Sequence, residues 1–124
     1  MLLEELRSQV VDCCKKINEL NLTAGTSGNV SARDKDSGFI AITPSGISYT
    51  ELKKEQIVIV DESGKTVDGD KIPSSEISMH LVIYKLRPDV FSVIHTHSKY
   101  CTVLACLNKR IEPVHYVIAD LGTD

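Results

Sequence analysis

Val30-Ser31-Ala32-Arg33-Asp34-Lys35-Asp36-Ser37-Gly38-Phe39-Ile40-Ala41-Ile42-Thr43 is the stretch on which the fold turns. Two strand-forming runs flank a polar, turn-forming cluster at 34–38, which is the pattern of an antiparallel hairpin. Toward the N-terminus lies Thr23-Ala24-Gly25-Thr26-Ser27-Gly28-Asn29, small and polar, a loop with accessible backbone. Before it, Leu3, Leu6, Val10, Cys13, Ile17 and Leu20 recur three or four apart, with Glu5, Arg7, Asp12, Lys16 and Glu19 between them. That spacing predicts an amphipathic helix.

Toward the C-terminus, Thr43-Pro44-Ser45-Gly46 breaks the second strand and Tyr49 to Glu55 reads as a short helical turn. Gln56-Ile57-Val58-Ile59-Val60 is a third strand, closed by the turn Asp61-Glu62-Ser63-Gly64. Pro73-Ser74-Ser75-Glu76 opens a second helix carrying Ile77, His80, Leu81, Ile83, Tyr84 and Leu86, which Arg87-Pro88 ends. Val90 to His95 is again β-branched, Ser98 is placed to cap a helix through Leu107, and Val114 to Ala119 reads as a last strand. The order helix, hairpin, strand, helix, strand, helix, strand predicts a mixed α/β fold. Its sheet is largely antiparallel, with helices packed on its faces.

Composition narrows the function classes. The 124 residues suit one domain, 1–124, with 42% hydrophobic and 25% charged residues, as in ordinary globular proteins. Fourteen Lys+Arg stand against 17 Asp+Glu, a net charge of −3, and no basic run exceeds two residues. Such a chain offers no electrostatic footprint for nucleic acid or an anionic membrane. Cys13, Cys14, Cys101 and Cys106 show neither CxxC spacing nor a disulfide framework and read as reduced thiols. The N-terminus lacks the basic and apolar regions of a secretory signal, and no apolar stretch approaches the roughly 18 residues of a membrane span. The expected location is cytoplasmic.

His95-Thr96-His97 carries the sharpest chemistry. In a strand, side chains at i and i+2 share a face, so both imidazoles can reach one metal ion. Zinc accepts such nitrogens at about 2.0–2.1 Å and takes one or two further protein ligands. The plain alternative is a pair of histidines that only caps or solvates a strand end. Glu76, in the first turn of a helix, is favoured there by exposed amides whether or not it reacts. Thr26-Ser27-Gly28-Asn29, Thr43-Pro44-Ser45-Gly46 and Ser74-Ser75 have the composition of anion-binding loops, although turns use the same residues for conformational reasons.

Taken in order, Gly25-Thr26-Ser27-Gly28-Asn29-Val30-Ser31, Ile42-Thr43-Pro44-Ser45-Gly46, Pro73-Ser74-Ser75-Glu76, His95-Thr96-His97 and His115-Tyr116-Val117-Ile118-Ala119 resemble the class II aldolase/adducin family. The resemblance implies a three-layer fold and a zinc-dependent lyase. That lyase splits a ketose 1-phosphate, similar to L-fuculose 1-phosphate, into dihydroxyacetone phosphate and an aldehyde. By this carry-over His95 and His97 bind Zn2+, while Glu76 binds it without substrate and acts as base or acid with substrate. Gly28, Asn29, Ser45, Gly46, Ser74 and Ser75 would cradle phosphate and substrate backbone, and Tyr116 would handle the proton on the aldehyde oxygen. The residue types suit the chemistry, because a divalent cation on the ketone and adjacent hydroxyl stabilises the carbanion left by cleavage.

The family's third histidine ligand has no counterpart here, since His80 falls inside the second helix and His115 lies beside Tyr116. The chain therefore reads as an N-terminal portion that holds zinc weakly alone. A homo-oligomer, tetrameric by resemblance, is expected. Rival readings are a sugar-phosphate epimerase, for which Glu76 is the wrong acid, a methylthioribulose-phosphate dehydratase, and a non-catalytic adducin-like interaction domain.

Overall fold

A computed structural model describes residues 1–112 of the chain. The expected strand at Val114–Ala119, with Tyr116 in it, lies outside the described residues. The first helix, α1 (Glu4–Glu19), has Glu4 and Glu5 in its first turn and Lys16 in its last, the arrangement that complements a helix dipole. It buries Val10, Val11, Cys14 and Ile17. The hairpin forms as expected: β1 (Asn29–Arg33) pairs antiparallel with β2 (Ile40–Ile42), Ser31 opposite Ile42 and Arg33 opposite Ile40. Gly38 at φ 74° lets its turn close, with the Asp34 carboxylate accepting from the Ser37 backbone at 2.8 Å.

β3 (Val58–Val60) joins β2, and β5 (Ser92–His95) joins the other side of β1. A strand that the sequence reading omits, β4 (Thr66–Asp68), pairs with β3 after the Asp61–Gly64 turn. Among the described residues the sheet has five strands, all paired antiparallel, in the order β4-β3-β2-β1-β5. The turn expected between Tyr49 and Glu55 tightens into a 3₁₀ segment only at Lys54–Gln56, and Tyr49 is buried.

Side-chain alternation divides the core into two layers. Val30, Ala41 and Ile59 pack with α1, Leu52 and Ile57 on one face. Ile40, Ile42, Val58 and Val60 pack on the other with Tyr84, Ile77 and Leu81 of α2 (Ile77–Leu86). A third helix, α3 (Lys99–Cys106), follows Ser98. The result is a three-layer α/β/α arrangement.

Arg7 departs from its expected place on the polar face of α1, being only 1% exposed. Its guanidinium donates to the Leu2 carbonyl at 2.8 Å, to the Ile57 carbonyl, and to Asp68 at 2.8 Å. A buried arginine is tolerated because each of its three guanidinium nitrogens has an acceptor, and it fastens β4 to α1.

Candidate metal centre

Asn29 and His95 are register partners at one end of the β1·β5 pair, so their side chains leave the sheet on the same face. That face is the one α2 covers. Glu76 caps α2, one residue before the helix proper, and its carboxylate makes no capping bond. The first-turn placement inferred from sequence is therefore displaced by one position. Instead of serving the helix terminus, the carboxylate turns to the sheet and accepts from Asn29 Nδ2 at 2.5 Å and from His95 Nδ1 at 2.7 Å.

His97 lies beyond the end of β5, so strand alternation does not place it. Its backbone N–H bonds to the Leu22 carbonyl at 3.1 Å, tying the segment after β5 to the exit of α1. The two imidazole centroids are 4.8 Å apart, tilted by 44°. Ligand atoms of Glu76, His95 and His97 all fall within 4.8 Å of one another. Two imidazole nitrogens and a carboxylate oxygen are a donor set that zinc and related divalent ions accept, and three protein ligands leave room for substrate. The Asn29 hydrogen bond is the main influence holding Glu76 below the usual carboxylate range, assisted by His95 and His97 against some desolvation. An ionised carboxylate is the form that ligates.

The three polar loops meet beside this cluster. Thr43 N–H bonds to the Val30 carbonyl at 3.0 Å, and Ser74 N–H bonds to the Thr43 carbonyl at 3.0 Å. Ser45 N–H bonds to the Ile72 carbonyl at 2.9 Å, so the loops at 43–46 and 72–75 run side by side. Ser45, Gly46 and Ser75 are exposed, while Ser74 is buried with its hydroxyl turned to the Glu76 N–H. Gly28 sits directly before Asn29 at φ 82°, and a Cβ there would lie 2.8 Å from the His95 carbonyl oxygen. Gly28→Ala is expected to lower stability by at least about 1–2 kcal/mol through left-handed strain alone. The clash pushes on His95, so metal affinity should fall together with the melting temperature in a thermal scan run with and without Zn2+.

His80, Ser31 and Tyr84 are linked to this site without having been singled out from sequence. His80 is fully buried, its Nε2 2.5 Å from Asn29 Oδ1 and its Nδ1 2.7 Å from Ser31 Oγ, which is 2.7 Å from the Tyr84 hydroxyl. The available signal was the i, i+4, i+8 spacing of Glu76, His80 and Tyr84 opposite the i, i+2 spacing of Asn29 and Ser31.

A family profile, the class II aldolase and adducin N-terminal domain, matches residues 8–124. The chain belongs to the class II aldolase/adducin family. Over 122 residues it is 41% identical to a 5-deoxy-D-ribulose 1-phosphate aldolase of Bacillus thuringiensis serovar kurstaki, covering 98% of this chain and 57% of that protein. Over 120 residues it is 46% identical to a 5-methylthioribulose-1-phosphate/5-deoxyribulose-1-phosphate aldolase of Escherichia coli O45:K1, covering 97% and 55%. A solved L-fuculose 1-phosphate aldolase superposes with a TM-score of 0.87 at 43% identity, over 93% of this chain and 54% of that one. The chain thus spans about half the length of the class II aldolases it matches, and its three-layer fold is theirs.

Proposed function

We propose that this class II aldolase-like domain, residues 1–124, belongs to a metal-dependent enzyme that cleaves a ketose 1-phosphate into dihydroxyacetone phosphate and an aldehyde. The convergence of Glu76, His95 and His97 within 4.8 Å carries the reading. It is supported by the substrates named for the similar aldolases, which are all ketose 1-phosphates. His95, His97 and Glu76 would hold the cation, and zinc is among the divalent ions that suit this donor set. A cation held there would supply Lewis-acid stabilisation of the negative charge left on the three-carbon fragment by cleavage.

The chain's own residues supply positioning and proton transfer. The loops carrying Gly28, Ser45, Gly46, Ser74 and Ser75 receive the phosphate, whose binding energy orients the bond to be broken. Asn29 donates to Glu76 and so keeps the carboxylate beside the two histidines. Glu76 exchanges the carbon-bound proton of the three-carbon fragment, and Tyr116 serves the aldehyde oxygen. An adducin-like, purely structural role does not require a carboxylate and two imidazoles held in ligating range.

The test couples triose release to NADH oxidation by glycerol-3-phosphate dehydrogenase, with L-fuculose 1-phosphate and 5-deoxy-D-ribulose 1-phosphate as substrates. Dihydroxyacetone phosphate is expected from the metal-loaded protein, is lost on chelation and returns with Zn2+. Its absence with both substrates, alongside an isomeric pentulose phosphate or a dehydrated product, overturns the aldolase assignment.

A further inference from the structure

We propose that His80 is a positioning residue for the metal centre: acting through Asn29, it holds the Glu76 carboxylate in the orientation that faces His95 and His97. The inference rests on the reading of Glu76, His95 and His97 as metal ligands. Its support is the hydrogen-bond chain between β1 and α2, in which the polar atoms admit one consistent arrangement of protons when the imidazole is neutral.

The arrangement follows from the end that faces the cleft. An ionised carboxylate only accepts hydrogen bonds, so the Asn29 group 2.5 Å from Glu76 is its NH2, and its carbonyl oxygen faces His80. A carbonyl also only accepts, so His80 carries its proton on Nε2, 2.5 Å away. The neutral ring then has a bare Nδ1, which accepts from the Ser31 hydroxyl at 2.7 Å. Ser31 Oγ in turn accepts from the Tyr84 hydroxyl at 2.7 Å. Every donor from Tyr84 to Glu76 points toward the carboxylate.

Burial separates this chain from an ordinary clasp between helix and sheet. Ser31 and His80 are fully buried, Asn29 is 3% exposed and Tyr84 4%. Polar groups in such a place cost free energy unless all are paired, and apolar side chains of similar volume would join the two layers at no such cost. The chain reaches solvent at one end only, the carboxylate of Glu76, whose side chain is 43% exposed. Partners behind a ligand fix its orientation, and losing them typically costs about 10–100-fold in metal affinity.

The experiment titrates the protein with Co2+ alone and reads both Kd and the visible d–d bands, which report coordination geometry. His80→Phe keeps the ring volume and removes both hydrogen bonds. It is expected to raise Kd by about 10-fold or more and to shift the bands. His80→Gln can still donate to the Asn29 carbonyl and is expected to recover most of the affinity. A space-filling role predicts the reverse order, Phe binding like wild type and Gln worse, and that result overturns the inference. Long-range 1H–15N spectra of the unmodified protein provide a measurement independent of either variant's folding: Nε2–H with a bare Nδ1 is expected, and the opposite tautomer overturns it. Wild-type protein that binds no Co2+ brings down the metal-centre reading and this inference together. Wild-type binding that His80→Phe reproduces in Kd and spectrum removes the inference alone.

Discussion

His95→Ala is expected to raise the Kd for Zn2+ or Co2+ by about 100-fold or more, above the range seen when only an outer partner is lost. The residue is a direct ligand in the proposed centre and also the partner that shares Glu76 Oε2 with Asn29, at 2.7 Å and 2.5 Å respectively. Its loss removes one of three protein donors and leaves Asn29 as the remaining side-chain partner of the carboxylate. The fold should survive, because His95 is the last residue of β5, the outermost strand among the described residues, and lies outside both hydrophobic clusters. Isothermal titration at pH 7.5 gives the affinity, and far-UV circular dichroism shows whether the sheet is intact. A folded variant with wild-type affinity would place the cation elsewhere and remove the basis for the aldolase chemistry. Triose release should fall in proportion to cation occupancy at limiting metal, and excess Zn2+ should restore little of it, since the remaining His97 and Glu76 are too few to orient the ion.

The sequence carried the parts of this site that depend on local rules. The 34–38 turn between two strand-forming runs specified the hairpin, and with it the face on which Asn29 and Ser31 emerge. β4 escaped because Thr66-Val67-Asp68 offers one apolar side chain in three residues, too short a run for alternation to register. Arg7 escaped because helical periodicity assigns charge to the outer face, whereas its partners, the Ile57 carbonyl and Asp68, stand 50 and 61 residues away. His97 was read from strand alternation, yet the bond to Leu22 sets its place. Glu76 was recognisable as a candidate only within the set of motifs, since a lone acid at a helix start is explained by the dipole. The hydrogen-bond chain behind it needed three dimensions, because Ser31 lies 49 residues from His80 and 53 from Tyr84.

The buried imidazole that backs Glu76 should also shape how the domain responds to acid. Burial is the main cause that lowers His80 from the usual 6.5 to about 4, with the nearby His95 adding to it and Glu76 opposing it. In the unfolded chain the same ring titrates at its ordinary value, so between pH 6.5 and 4 the unfolded state binds more protons than the folded one. Stability therefore rises with pH across that window, is fully present above 6.5, and is lost as pH falls toward 4. The loss should amount to about 2 kcal/mol by pH 5 and about 3 kcal/mol by pH 4. Protonating His80 in place would require Nδ1 to donate, so Ser31 must reverse its hydroxyl and give up its bond direction to both neighbours. The lowered carboxylates Glu4, Asp34, Asp61, Asp68, Glu76 and Asp89 act in the same direction, but only as pH falls through and below their ordinary 3.8–4.5. Urea melts from pH 7 to 5 in the presence of EDTA, which removes the pH dependence of metal binding, isolate the histidine contribution. His80→Phe should be less stable at pH 7, because Asn29 and Ser31 lose their partner, yet its stability should change far less between pH 7 and 5. Parallel pH profiles for the two proteins would mean that His80 takes up its proton in the folded state as readily as in the unfolded one, and that the ring is not held neutral by its buried partners.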